Sequence, residues 1–171
     1  MPVSPLVQKI TAKECALALC VISLATISGA WVFEYFGYLP CELCLKQRWA
    51  YYLGVPLAGL LYASLRFEIA HLPRITFALL SVLWLASCGF GIYHSGVEWQ
   101  FWPGPTDCTG SLTKAPSITD FLQQLESVKV VRCDAVAIRI LGLSLAGWNA
   151  VISLSMALIA TLGVIKTKAQ N

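Results

Sequence analysis

Residues 15–36 read CALALCVISLATISGAWVFEYF, an almost unbroken apolar run whose one charged side chain, Glu34, stands close to its end. A helix needs about 20 apolar residues to cross the hydrocarbon core of a bilayer, whereas a soluble core helix is usually shorter and keeps one polar face. Working outward, three more stretches share this character: about 45–67, centred on YYLGVPLAGLLYASL, about 75–94, and about 140–165. The first run is too long for the apolar centre of a secretory signal, despite Lys9 and Lys13 ahead of it, and reads as a retained anchor. The expected fold class is therefore all-α: one polytopic membrane domain over residues 1–171, a four-transmembrane-helix bundle with outward loops at about 37–44 and 95–139.

Composition agrees. Of 171 residues, 57% are hydrophobic and 12% charged, with a mean hydropathy of +0.70. Soluble domains carry about twice that charged fraction. The balance excludes a disordered chain, which needs low hydrophobicity and high charge. A net charge of only +3, divided between the two ends of the bundle, argues against a nucleic-acid partner.

The division of charge orients the bundle. Lys9, Lys13, Arg66, Arg74, Lys166 and Lys168 face Glu14 and Glu68 on one side, a net +4. Lys46, Arg48, Lys114, Lys129, Arg132 and Arg139 share the other with seven acidic residues, a net −1. Basic short segments stay in the cytoplasm, so both termini are expected there and both loops outside. Trp31, Tyr35, Phe36, Tyr38, Trp49, Tyr51, Tyr52, Trp99, Phe101 and Trp102 fall near the outward ends of the spans and read as an interfacial belt.

On this topology the seven cysteines separate. Cys15, Cys20 and Cys88 lie inside spans and read as small packing residues. Cys41, Cys44, Cys108 and Cys133 all lie outside, where thiols oxidise. Cys41-Glu42-Leu43-Cys44 is a C-x-x-C, a spacing that favours a low thiolate pKa and fast exchange. Cys108 and Cys133 enclose a long loop. A tetra-cysteine zinc site usually wants two such knuckles, and no metal ligand set is expected. Leu45 after Cys44 removes the c-type haem motif.

The surroundings of the C-x-x-C are chemically suggestive. Pro40 fixes an extended approach, and Cys44 is expected to open the second helix, where free N–H groups and the helix dipole favour a thiolate. Arg48, four residues on, shares its helix face, where it would lower the thiol pKa and stabilise a bound anion. His94 and Glu98, one helical turn apart at the outer end of the third span, are candidates for proton transfer. Trp102-Pro103-Gly104-Pro105 stops that helix. Ser117-Ile118-Thr119-Asp120 starts a capping-box-like segment in which Ile118, Phe121, Leu122, Leu125 and Val128 predict a short amphipathic helix near the membrane.

Pro-Cys-Glu-Leu-Cys with Arg48, Tyr93-His94, Trp102-Pro103-Gly104-Pro105 with Cys108, Cys133, and Leu141-Gly142-Leu143 with Gly147-Trp148-Asn149 together resemble the disulfide bond formation protein B (DsbB) family, over roughly residues 15–165. The resemblance implies a bacterial inner-membrane enzyme that reoxidises a periplasmic DsbA-like thiol oxidase and delivers the electrons to the membrane quinone pool, as ubiquinone or menaquinone. It implies that Cys108 forms the mixed disulfide with the partner and that Cys133 attacks the Cys41–Cys44 disulfide. The freed Cys44 thiolate then reduces a quinone held near Arg48, with His94 and Glu98 at the same site. An acid that some relatives carry before the arginine is Gln47 here. Independently of the family, the chain has no G-x-G-x-x-G nucleotide fingerprint to receive electrons, and a thiol at the membrane boundary most simply reaches a lipid-soluble acceptor. Three alternatives remain open: a metal-ion transporter capturing through C-x-x-C, a structural protein with inert outer disulfides, and a quinone-coupled reductase running in the opposite direction.

Overall fold

Thr11 sets the start of the first helix. Its hydroxyl accepts from the Glu14 N–H at 3.3 Å, and the Glu14 carboxylate accepts from the Thr11 N–H at 2.8 Å, a reciprocal capping box. The structure, a computed structural model, describes residues 10–69, 72–105, 117–119 and 131–168. From the cap, α1 runs over Ala12–Tyr35 and gives way at Gly37, whose φ of 90° reverses the chain. Helix α2 covers Glu42–Arg66, with Pro56 inside it, and α3 covers Leu72–Glu98. Next come the short strands β1 (Arg139–Ile140) and β2 (Leu143–Ser144), then α4 (Leu145–Lys168).

The protein is mostly helical. Among the described residues, α1, α3 and α4 (over Leu145–Thr167) are long and apolar enough to cross a membrane. Helix α2 has the length, at 25 residues, but its outer turns carry Glu42, Lys46, Gln47 and Arg48, and Arg66 closes it. The helices pack around a ring: α1 touches α2 and α4, and α3 touches α2 and, most extensively, α4. Small residues permit the α3–α4 approach. A Cβ on Gly91 would stand 2.9 Å from the Ala150 backbone nitrogen, and one on Gly163 would meet the Phe77 ring at 2.2 Å. Ser87 and Ser153 hydroxyls bond across the same seam at 2.9 Å.

Leu19, Leu61, Phe77, Leu80, Trp84 and Met156 fill the middle of the bundle. The opposite faces are as apolar as the core: Val21, Leu24, Val82, Leu85, Leu154 and Leu158 are exposed, which suits a lipid environment rather than water. Most belt aromatics are exposed as expected, but Tyr51 is not. It is 3% exposed, packs on Trp84 at 5.2 Å between centroids, and donates to Asn149 Oδ1 at 2.6 Å.

The fourth helix starts later than the apolar pattern at 140 suggests. Arg139 pairs with Ser144 and Ile140 with Leu143 in an antiparallel hairpin, and Leu141 (φ 51°) and Gly142 (φ 85°) make its two-residue turn. Ser144 then caps α4 by accepting from the Gly147 N–H at 3.1 Å, and the Trp148 indole N–H holds the Ile140 carbonyl at 2.8 Å. Helix α3 runs past His94 to Glu98, putting both on one helix as their spacing requires. Apart from 117–119, the expected amphipathic helix lies outside the described residues, as does Cys108.

Candidate active site

Cys41 is the N-cap of α2, with extended backbone set up by Pro40. Its sulfur accepts from the Cys44 N–H at 3.3 Å, lies 2.9 Å from the Cys44 sulfur and lies 3.6 Å from His94 Nε2. The helix terminus therefore serves Cys41, where the sequence suggested Cys44. The reason is geometric: a cap side chain turns back to the third N–H of its helix, and here that N–H belongs to Cys44. The Cys44 thiol, then His94, pull the Cys41 pKa down to about 4 against the opposing effect of burial. Negative charge in this pair is accordingly favoured on Cys41.

His94, 1% exposed, stands behind that sulfur. Its Nδ1 lies 3.2 Å from Gln47 Nε2. On the other side, Cys41 is buried in one cluster with Leu43, Val97 and Cys133, and Cys44, Phe90 and Val131 pack against it. Cys133 is 2% exposed and disulfide-bonded, whereas Cys41 and Cys44 are free. A loop cysteine far along the chain thus sits against the C-x-x-C.

Cys44 touches that cluster and also borders a second environment. With Gln47, Arg48 and Tyr51 of α2 it lines a largely apolar cavity of about 450 Å³, enclosed also by α1, by Trp148, Asn149 and Ile152 of α4, and by Ile140 of the hairpin. Arg48 is placed at the cavity wall but not on a cysteine. Its guanidinium pairs with Glu34 of α1 at 2.5 Å and reaches the Ala30 carbonyl at 3.5 Å. Glu98 stays one turn beyond His94 and accepts from the Ser144 hydroxyl, tying the end of α3 to the hairpin. Neither His94 nor Glu98 lines the cavity.

Three participants were named in the sequence without the contacts they make here. Glu34 was visible only as the lone acid of an apolar run. Gln47 interrupts the apolar pattern of α2 and is buried. Asn149, 8% exposed, gives its oxygen to Tyr51 and leaves its Nδ2 with no partner beside the cavity. A buried amide donor without an acceptor costs about 1–3 kcal/mol, which a ligand carbonyl would relieve.

Cys41, Cys44 and His94 also bring three soft donor atoms within 4.8 Å of one another. The two sulfurs, at 2.9 Å, are nonetheless closer than two thiolates on one tetrahedral zinc ion, which stand about 3.8 Å apart. Their arrangement fits sulfur–sulfur chemistry better than metal ligation.

The family model for disulfide bond formation protein DsbB matches residues 12–163. An uncharacterized protein of Rickettsia prowazekii (strain Madrid E) is 32% identical over 157 residues, which cover 90% of this chain and 87% of that protein. No solved structure matches the chain.

Proposed function

Since the chain belongs to the disulfide bond formation protein DsbB family, an inner-membrane family of oxidoreductases, we propose that it reoxidises a DsbA-like periplasmic dithiol oxidase and passes the electrons to ubiquinone or menaquinone. The observation that carries this reading is the setting of the C-x-x-C: both its cysteines pack with Cys133, and Cys44 of the two also lines an apolar cavity. All four long helices span the membrane in the proposed topology, with both termini cytoplasmic and an amphipathic helix in the second periplasmic loop.

The exchange runs through four sulfurs. A thiolate of the partner attacks the Cys108 sulfur of a Cys108–Cys133 disulfide, and Cys133 leaves as a thiolate. Cys133 then attacks Cys41 of a Cys41–Cys44 disulfide, forming a Cys41–Cys133 bond and freeing the Cys44 sulfur; the partner's second thiol breaks its bond to Cys108, and Cys108 in turn attacks Cys133, restoring their disulfide and releasing the Cys41 thiolate. Cys44 faces the cavity, Arg48 supplies positive charge at its wall, and the free Asn149 amide supplies a donor. The apolar lining excludes water. A bound quinone supplies an acceptor of two electrons and two protons. Glu98 and His94 are the titratable groups placed to move protons between the thiols and the periplasmic side.

The test is to incubate the purified protein with a reduced thioredoxin-like dithiol and ubiquinone and to follow quinone absorbance. The wild-type protein is expected to reduce quinone and Cys44→Ser to lose the activity. Arg48→Ala is expected to raise the apparent KM for quinone roughly tenfold while thiol exchange with the partner persists. No quinone reduction by the wild type, or full activity in Cys44→Ser, overturns the assignment.

A further inference from the structure

Gln47, His94 and Cys41 form a line through the interior. Gln47 Nε2 is 3.2 Å from His94 Nδ1, His94 Nε2 is 3.6 Å from Cys41 Sγ, and the three residues are 9%, 1% and 5% exposed. We propose that Gln47 is a positioning residue, which holds His94 in the tautomer presenting Nε2–H to the Cys41 sulfur and turns its amide when His94 takes up a proton. The inference rests on the reading that Cys41 alternates between disulfide and thiolate.

The chemistry of the two side chains carries the first half. A neutral imidazole has one N–H, and an amide nitrogen only donates. Gln47 Nε2 therefore requires a bare Nδ1, which leaves the ring proton on Nε2, facing the sulfur. Two electrons from a dithiol, passed by exchange, break the Cys41–Cys44 bond and leave both sulfurs at the thiol level. Charge that falls on Cys41 meets the Cys44 N–H and faces the His94 N–H. With His94 in this tautomer, that second donor is in place before the charge arrives.

The second half follows from what an amide alone offers. A protonated ring has N–H on both nitrogens, and Nδ1–H then needs an acceptor. Rotating the Gln47 amide by half a turn presents Oε1. A carboxylate at this position accepts only, so it would favour Nδ1–H and the doubly protonated ring. A leucine would leave a buried Nδ1 without a partner. The charges acting on His94 are the Cys41 thiolate and the Glu98 carboxylate on its own helix, with Arg139 acting on Glu98. Cys44 bears on Cys41 and Glu98. Arg48 is engaged by Glu34, Cys133 is disulfide-bonded, and α4 carries no charged side chain before Lys166.

The test compares full-length wild type, Gln47→Leu and Gln47→Glu in detergent, after reduction. Iodoacetamide alkylation of Cys41 is followed by peptide mass across pH 4–9, and the His94 tautomer by ¹⁵N-histidine NMR. In Gln47→Leu, Cys41 alkylation near pH 4 is expected to slow roughly fivefold, with the profile displaced to higher pH by about one unit. In Gln47→Glu, which keeps the side-chain shape but only accepts, the His94 ring proton is expected on Nδ1. Wild-type His94 protonated on Nδ1 at pH 8, superimposable alkylation profiles in a folded Gln47→Leu, or His94 protonated on Nε2 alone at pH 8 in Gln47→Glu overturns the proposal. If Gln47→Leu does not fold, the tautomers of the wild type and of Gln47→Glu decide. These readouts need neither quinone nor partner. Shifts as expected in a protein that reduces no quinone would remove the oxidoreductase reading alone, and unmoved spectra in an active enzyme would remove this inference alone.

Discussion

Cys41 and Cys44 differ by one helical turn, and that turn separates their roles. Cys41, as the cap, collects the hydrogen bonds and ionises; Cys44, at the third helical position, gives its N–H away and faces the cavity. The ionisation has a thermodynamic consequence. A thiol lowered from 9.0 to about 4 on folding binds fewer protons in the native than in the unfolded state throughout that interval. Stability it contributes is thus complete above about 9 and lost as pH falls through about 4. The Tm of the reduced protein is expected to rise between pH 5 and 8 more steeply than that of a reduced Cys41→Ser variant, and parallel curves would refute the assignment of the charge. The sequence identified this pair and its chemistry from spacing alone. Which sulfur carries the charge was not legible, because it depends on whether the helix begins at 42 or 45. Arg48 shows the same limit. Its helix face was readable, but Glu34 on another helix decides where the guanidinium goes.

Elements end where local chemistry ends them. Thr11 and Glu14 spell a capping box, and Gly37 supplies the positive φ after α1. At the end of α3, Gln100 turns to a φ of 60° and Trp102 folds back on the helix. Its ring stacks on Tyr93 at 6.1 Å, and its indole N–H donates to the Tyr93 carbonyl at 2.9 Å. Gly96 makes room: a Cβ there would stand 2.0 Å from the Trp102 ring. Gly96→Val is accordingly expected to displace Trp102 and lower stability by about 1–3 kcal/mol, read as a lower Tm with a changed tryptophan emission. An unchanged Tm and spectrum would show that this packing is dispensable. The hairpin before α4 escaped the sequence for the opposite reason. Ile140, Leu141 and Leu143 continue the apolar run, and Leu-Gly is a weaker turn signal than Asn-Gly. Only Ser144, a good cap three residues before Gly147, hinted at the later start.

At the scale of the whole molecule, apolar length and charge asymmetry led to a helical membrane protein, and three of its helices meet that description outright. Helix α2 is the weakest by composition because it carries the chemistry: the Lys46, Gln47 and Arg48 that lower its hydropathy stand within or beside the site. The net +4 ascribed to the cytoplasmic side predicts orientation. A phosphatase reporter fused after Lys168 is expected to be inactive, and the same reporter placed in the second outward loop active. The reverse pattern would invert the topology and remove the C-x-x-C from the periplasm. A four-helix bundle led to an apolar cleft, but its lining was not legible in spacing or periodicity, since the wall gathers side chains from α1, α2, α4 and the hairpin, which only tertiary packing brings together.

The C-x-x-C stands at a boundary, with Cys41 buried beside Cys133 and Cys44 reaching from that cluster to the cavity. On the proposed reading, the reductant and the oxidant never meet; each knows the other only through the state of a single covalent bond. Recognition of the protein donor and of the lipid-borne acceptor is thereby decoupled, so lineages are free to change respiratory acceptor by altering the cavity wall while the outer loop keeps its client.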